Sequence, residues 1–449
     1  ANPQFGFFSL TTIFTFTLGS IFGYKLALTA YFLVGFWGFL YLFRRALKTP
    51  VVTAILLSYV WTFGSFLVQR SSGHYTFFTI QFFPIILALF LRRTELKRAW
   101  LWLGFALAIM SNTASHNMTV LSFAVLGLFA LTELLSVSYK YVRQKKFDVS
   151  VSVNFKDVYF WLKTAGVFLV FAGYRLIFAL QFLREYPREL VIPEGSIGVP
   201  KALLAVFGPF LQFENAPSAP PWSWLEASAY IGILTGVVAT LCFILLIQKR
   251  GGKSRSKDSR LSPWLPIVLG CIFFLLSLGT FLGKLSPYSI LKMLPVFSDM
   301  RVAPRWLTWV AIMILLFIGL YRDKKWRKAI NILLLISVAE LFITNRPYLA
   351  KPYVIDAANY KTSAVINQQI HYDIQRYGIP YDENLTAATK ANIGQVVAGD
   401  ALLDTRWGPP WGIGTTHCDS DSANCSFVET GNAKVVYWSP NLIKLERTA

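Results

Sequence analysis

The chain has 449 residues, of which 55% are hydrophobic, 16% aromatic and only 15% charged, yet its formal net charge is +20. Such hydrophobicity excludes a disordered chain, and so few charged residues exclude an ordinary soluble enzyme. A basic balance of this size fits a nucleic-acid partner or a membrane, and the placing of the charges along the chain decides between them.

A membrane helix needs about 20 mostly apolar residues. Taken in chain order, ten segments answer to this, at roughly 25–43, 51–68, 75–91, 99–112, 118–137, 158–182, 228–248, 262–283, 306–321 and 329–345. Several are short, so one or two pairs read as helical hairpins that do not fully cross. The stretch 6–24 is also apolar, but its Thr and Phe content, with Gly19 and Gly23, leaves two readings: an eleventh span or a helix lying at the interface.

The loops sort these segments by side. Loops 44–50, 92–98, 138–157, 249–261 and 322–328 hold more than twenty Lys and Arg, whereas 69–74, 113–117, 183–227 and 284–305 hold eight. This is the alternation of the positive-inside rule, which places the basic loops in the cytoplasm and the others outside. A nucleic-acid binder has no reason to concentrate its charge in every second loop, so no nucleic-acid partner is expected. The reading is an integral, multi-pass plasma-membrane protein among membrane lipids. Residues 1–345 form an α-helical polytopic domain of about 10–11 membrane helices.

The same topology sends residues 346–449 outside. This part has nine Lys/Arg and ten Asp/Glu, which leaves +21 on the first 345 residues. Apolar periodicity stops after Thr344. Alternating stretches at 433–437 and 442–446 flank Ser439-Pro440-Asn441 and predict a β-hairpin. A small extracytoplasmic α+β or β-rich domain is expected. Cys418 and Cys425 lie together in it, and the oxidising exterior favours a disulfide. Free thiols are the next reading, and a zinc site with His417 the last, since a fourth ligand is missing. Cys242 and Cys271 sit in apolar runs and read as small core residues. Asn117, Asn384 and Asn424 begin glycosylation triplets, which matter only in a glycosylating host.

Ionisable residues inside spans are costly and point to function by default. Glu133 lies near the cytoplasmic end of its segment and reads as snorkelling. Arg175 is deeper and reads as a structural pair or as a contact to a lipid phosphate. Glu340 reads as structural hydrogen bonding. His74 and His116 each precede an apolar run at an outer mouth, as helix-start residues or as parts of a shared outer site. The loop 284–305 carries Asp299, Arg301 and Arg305 into a span. Arginine forks suit phosphate oxygens, so a phosphate-linked lipid is one reading and headgroup anchoring the other. Loop 183–227 holds Glu185, Glu189, Glu194, Glu214 and Glu226 with Trp222 and Trp224, compatible with sugar stacking or interfacial anchoring. There is no P-loop, Rossmann fingerprint, His-Glu-x-x-His or Gly-x-Ser-x-Gly motif. ATP-driven transport by this chain alone is therefore not expected, and no pair of repeated halves marks a secondary transporter.

Several stretches together resemble a known family. They are Asn2-Pro3-Gln4-Phe5-Gly6-Phe7-Phe8; Gly73-His74 with Pro84 and the Arg92-Arg93 exit; Ser115-His116; Phe297-Ser298-Asp299-Met300-Arg301-Val302-Ala303-Pro304-Arg305-Trp306; and Val435 to Glu446. The layout is similar to the C-type (GT-C) membrane glycosyltransferase superfamily and, within it, to the YfhO-like membrane proteins. The resemblance covers most of the chain. It implies transfer of a sugar from a polyprenyl-phosphate donor to an extracytoplasmic glycan, lipid or protein acceptor. Arg301 and Arg305 would hold the phosphate, with His74, His116 and Arg175 as further substrate-binding candidates. In that superfamily an acidic residue of the first outer loop acts as base or binds a divalent metal. Here no Asp or Glu precedes Glu95. The expected explanation is a fragment lacking the first span and first outer loop. The other explanation is a non-catalytic relative, such as a transporter or scaffold in cell-envelope polymer or lipid assembly. No catalytic base and no metal ligand is assigned.

Overall fold

The computed structural model of the chain describes residues 9–18, 20–71, 75–113, 116–143, 155–185, 196–208, 227–248, 261–294, 297, 300, 302–321, 323–350, 393–396, 434–439 and 442–446. Its apolar runs are helical, as hydrocarbon demands: with no water to bond, each segment must satisfy its own backbone. Five helices are long and apolar enough to cross a membrane: Phe22–Ala46, Val51–Arg70, Val158–Ile177, Ala303–Leu320 and Arg327–Arg346. Five shorter apolar helices are Phe77–Leu91, Ala99–Thr113, Met118–Glu133, Ile233–Gln248 and Trp264–Ser277. These ten fall on the ten apolar runs of the sequence, and the chain has the make-up of an α-helical membrane protein.

The first described helix, α1 (Leu10–Leu18), has nine residues. At about 14 Å it is too short to cross a hydrocarbon core of about 30 Å. It folds back on α2 (Ser20–Tyr41) so closely that a Cβ on Gly23 would lie 2.6 Å from Thr15 Cα. The described part of the ambiguous N-terminal stretch is thus one arm of a tight hairpin with α2.

Helix α2 runs into a π-helical turn, Leu42–Ala46. The next span is interrupted: α3 (Val51–Thr62) and α4 (Ser65–Arg70) meet at Phe63-Gly64. The backbone groups freed there are taken up from distant positions. Asn345 Nδ2 donates to Phe63 O at 2.7 Å, and Ser65 N donates to Tyr230 O at 2.9 Å. Ser65 Oγ also bonds Asn345 Oδ1 at 3.0 Å. Broken helices survive at membrane depth under this condition, that neighbours re-satisfy the backbone.

A 3-10 helix over Tyr75–Phe82 leads into α5 (Phe83–Leu91), with Pro84 in the first turn. The 3-10 rise of about 2.0 Å per residue stretches this short run to about 30 Å in all. Then follow α6 (Ala99–Thr113), α7 (His116–Arg143), α8 (Phe155–Glu185), α9 (Val199–Phe207), α10 (Ile233–Gln248) and α11 (Trp264–Ser277). The last helices are α12 (Pro287–Leu291), α13 (Leu307–Leu320) and α14 (Arg327–Ala350). Helix α13 is the hub, since 89% of the Ala303–Leu320 span is buried by its neighbours. The Val158–Ile177 span is peripheral, with only 11% buried, and offers Leu169, Val170 and Ile177 outward.

Chain contacts divide into two compact units. One comprises Pro3–Ile177 and Ile192–Pro352; the other comprises Ala1–Asn2, Phe178–Val191 and Tyr353–Ala449. Within the second, the described strands are β1 (Ile393–Val396), β2 (Lys434–Ser439) and β3 (Leu442–Glu446), in the order β1-β3-β2. Strand β3 pairs antiparallel with both neighbours, Ile443 facing Val396 on one side and Trp438 on the other. Strands β2 and β3 are antiparallel neighbours, with a bulge between Val435 and Tyr437; the turn residues Pro440 and Asn441 lie outside the described residues.

Candidate functional site

Four pieces of the helical unit converge where α4 ends: its last turn, the 3-10 helix Tyr75–Phe82, the segment 227–232 and a second 3-10 turn, Ala303–Trp306. Phe77 is the pivot. The Arg70 guanidinium carbon lies 5.0 Å from the centroid of its ring, and that of Arg305 lies 4.8 Å from it. Both are within cation–π range, so the two guanidinium groups lie within about 10 Å of each other.

The two arginines are held differently. Arg70 is only 1% exposed, packs 3.9 Å over the Phe66 ring and donates to the carbonyls of Phe66 and Ser228 at 3.2 and 3.4 Å. Arg305 is half-buried. It is presented by a proline-started turn whose next residue, Trp306, stacks on Phe273 at 5.3 Å. The loop before it is stapled from within. Ser286 caps α12 by accepting from Ser289 N at 3.1 Å, and Tyr288 Oη donates to Met300 O at 2.6 Å. Burial pushes the Tyr288 phenol above its ordinary pKa, and the nearby Arg305 charge opposes the shift. Tyr288 therefore stays a neutral donor at neutral pH.

An apolar groove lies along α10. It has a volume of about 510 Å³ and is lined by Phe207 and by Ile233, Gly236, Val237, Thr240, Leu241 and Ile244, one stripe of α10. Gly236 makes the room, since a Cβ there would meet the Phe207 ring at 2.7 Å. Ile233 is five residues from Ser228, the acceptor of Arg70, so the head of the groove is within about 18 Å of it.

The other intramembrane charges have local duties. Glu133 forms a two-pronged ion pair with Arg93, at 3.0 and 2.9 Å, which goes beyond simple snorkelling. Glu340 serves structure, as expected: its carboxylate accepts from Tyr230 Oη, from Ile233 N at 2.9 Å and from Leu234 N at 3.5 Å. It thereby occupies the N-terminus of α10, where the helix dipole favours an anion. Arg175 is half-buried near the end of its span. It follows Tyr174, whose hydroxyl donates to Asn112 Oδ1 at 3.0 Å, while Asn112 Nδ2 donates to Phe171 O at 2.9 Å.

Of the residues singled out by sequence, Arg305 is thus at the convergence, and Arg175 follows Tyr174, which belongs to a polar group built on α6 and α8. His74, Arg301, Cys418 and Cys425 lie outside the described residues, and His116 is described only as the first residue of α7. Arg70 and Phe77 are what sequence reasoning missed. The one signal for them was an arginine closing an apolar run on the base-poor side of the topology. Among the described residues, no group of three or more His, Cys, Asp and Glu side chains is placed to hold a metal ion. No protein family, curated protein or solved structure matches the chain.

Proposed function

We propose that this chain is a GT-C-like membrane glycosyltransferase, using a polyprenyl-phosphate-linked sugar donor and an extracytoplasmic acceptor. The observation that carries the reading is the pair of arginines converging on Phe77, with an apolar groove on the helix that follows the Arg70 acceptor Ser228. A lipid phosphate needs both parts: fixed guanidinium donors for its oxygens and an apolar channel for its tail. Arg305 binds the phosphate from its half-open position, and Arg70 holds the shelf on which it rests. As the glycosyl bond breaks, negative charge gathers on the leaving phosphate, where a fixed guanidinium stabilises it. The α10 groove takes the first isoprene units.

The test uses the full chain in detergent. A short-chain polyprenyl phosphate is expected to bind, and the matching polyprenol, which lacks the phosphate, is expected to bind at least tenfold more weakly. Transfer is then followed with a radiolabelled polyprenyl-phosphate sugar and membrane acceptors. Equal binding of phosphate and alcohol would sink the phosphate site. Binding without transfer favours the second reading, a non-catalytic lipid or polymer transporter or an envelope scaffold.

A further inference from the structure

The opposite ends of the same helices form a second charged surface. Arg92 Nη1 donates to Tyr41 Oη at 2.6 Å, Thr49 Oγ1 to Gly319 O at 2.7 Å and Thr53 Oγ1 to Asn331 Oδ1 at 2.8 Å. Arg93 reaches across to Glu133 of α7. These bonds gather the loops 44–50, 92–98 and 321–328 at one end of the bundle, away from Arg70 and Arg305.

The described residues of this end include eleven bases and three acids. Each acid is already engaged. Glu95 pairs with Arg92 at 2.8 Å, Glu133 pairs with Arg93, and Asp323 accepts from Lys325 N at 2.9 Å and from Tyr321 Oη at 3.3 Å. The paired arginines are half-buried. Among the exposed cations are Lys48, Lys97, Arg98, Lys324, Lys325 and Lys328. Lys48 adds a second sign. Its φ is 58°, a left-handed conformation that glycine adopts without strain and lysine does not. A cation is kept at a position where the backbone favours glycine.

We propose that this face docks anionic phospholipid headgroups, held as a shell around the helix ends. Lys48, Lys97, Arg98, Lys324 and Lys325 stand in loops at the ends of apolar helices and Lys328 in the first turn of α14, which sets them beside the headgroup layer, and the three described acids of this end are already bonded. Long basic side chains there reach the phosphates while their stems cover apolar surface. An anionic membrane surface attracts each such cation enough to shift partitioning roughly fivefold. This surface is independent of the sugar-transfer reading, because it involves none of the residues around Phe77.

The full chain, purified in a neutral detergent, is titrated with phosphatidylglycerol or phosphatidylcholine, and bound lipids are counted by native mass spectrometry. Phosphatidylglycerol is expected to bind at least tenfold more tightly. The preference should collapse at about 1 M salt, where the Debye length is only about 3 Å. A variant with Lys48→Gln, Lys97→Gln, Arg98→Gln, Lys324→Gln, Lys325→Gln and Lys328→Gln should lose the preference. One that exchanges Lys for Arg and Arg for Lys at the same positions should keep it. Equal binding of the two lipids by the unmodified chain overturns the proposal, and that arm needs no variant to fold. A preference that survives the glutamine substitutions overturns it too. So does displacement of phosphatidylglycerol by an acidic peptide or an RNA oligonucleotide, since the face would then belong to a macromolecular partner.

Discussion

Arg70 and Arg305 rest on the same phenyl ring, yet burial gives them different work. Arg70 is sealed in and bonded to two carbonyls, which suits a shelf, whereas Arg305 is half-buried and is the one proposed to meet the ligand. Removing a charged hydrogen-bonding group costs about 1.5–3 kcal/mol, or about ten- to a hundredfold in affinity. Arg305→Ala is expected to weaken polyprenyl-phosphate binding by that factor, while membrane insertion stays intact. Arg305→Lys should fall between, because it keeps the charge and loses the planar fork. Unchanged binding in both variants would remove Arg305 from the site. Glu340 makes a complementary case, since its three acceptor bonds join α14 to the start of α10. Glu340→Ala should lower stability by about 2 kcal/mol or more, read as an earlier thermal unfolding in detergent, and Glu340→Gln should lower it less. The structural role of Glu340 was legible from its position near a span end. The shelf role of Arg70 was not, because nothing local to Val68-Gln69-Arg70 announces Phe77 or Ser228.

The elements were legible by hydropathy and less so by geometry. The run 75–91 reads as one helix, but half of it is 3-10, and the run 51–68 hides the break at Phe63-Gly64. Both departures bring a turn of backbone to another segment: Phe77 to the arginines, and Ser65 to Tyr230. Gly232 shows how tight these joints are. Its φ is 94°, and a Cβ there would overlap Ser337 Oγ on α14. Gly232→Ala should therefore cost about 1–3 kcal/mol in backbone strain alone, with the clash on top. Gly127 is the control, since a methyl group added there would have nothing within 4 Å. Gly127→Ala is expected to be neutral or slightly stabilising, as alanine is the better helix former. Similar shifts in thermal unfolding for the two variants would show that the Gly232 joint carries no special constraint.

At the scale of the whole molecule, the charge pattern makes a prediction that helix packing does not. By the positive-inside rule, the basic ends are expected in the cytoplasm and residues 346–449 outside. A Ser363→Cys variant is expected to react with an impermeant thiol reagent applied to intact cells. A Thr94→Cys variant, at an exposed position of the basic end, should react only after permeabilisation. The native cysteines Cys242, Cys271, Cys418 and Cys425 are replaced by Ser in both. Labelling of Thr94→Cys but not Ser363→Cys in intact cells would reverse the topology and move the Arg305 site to the cytoplasmic face.

Hydropathy by itself located the ten apolar helices seen among the described residues, and left only the stretch 6–24 with two readings. Satisfying a backbone in hydrocarbon is mostly a local demand, met by helical bonds within the segment except at breaks such as Phe63-Gly64. Charge placement likewise set the expected orientation, because loops are sorted by their own composition. Only the tertiary structure decided which helices meet. Thr49 and Gly319 are 270 positions apart, and Asn345 repairs a break 282 positions away. A helix that is apolar on every side carries no stripe to say which face goes inward. The pairing of Arg70 with Arg305 across Phe77 therefore had to come from how the helices pack around α13.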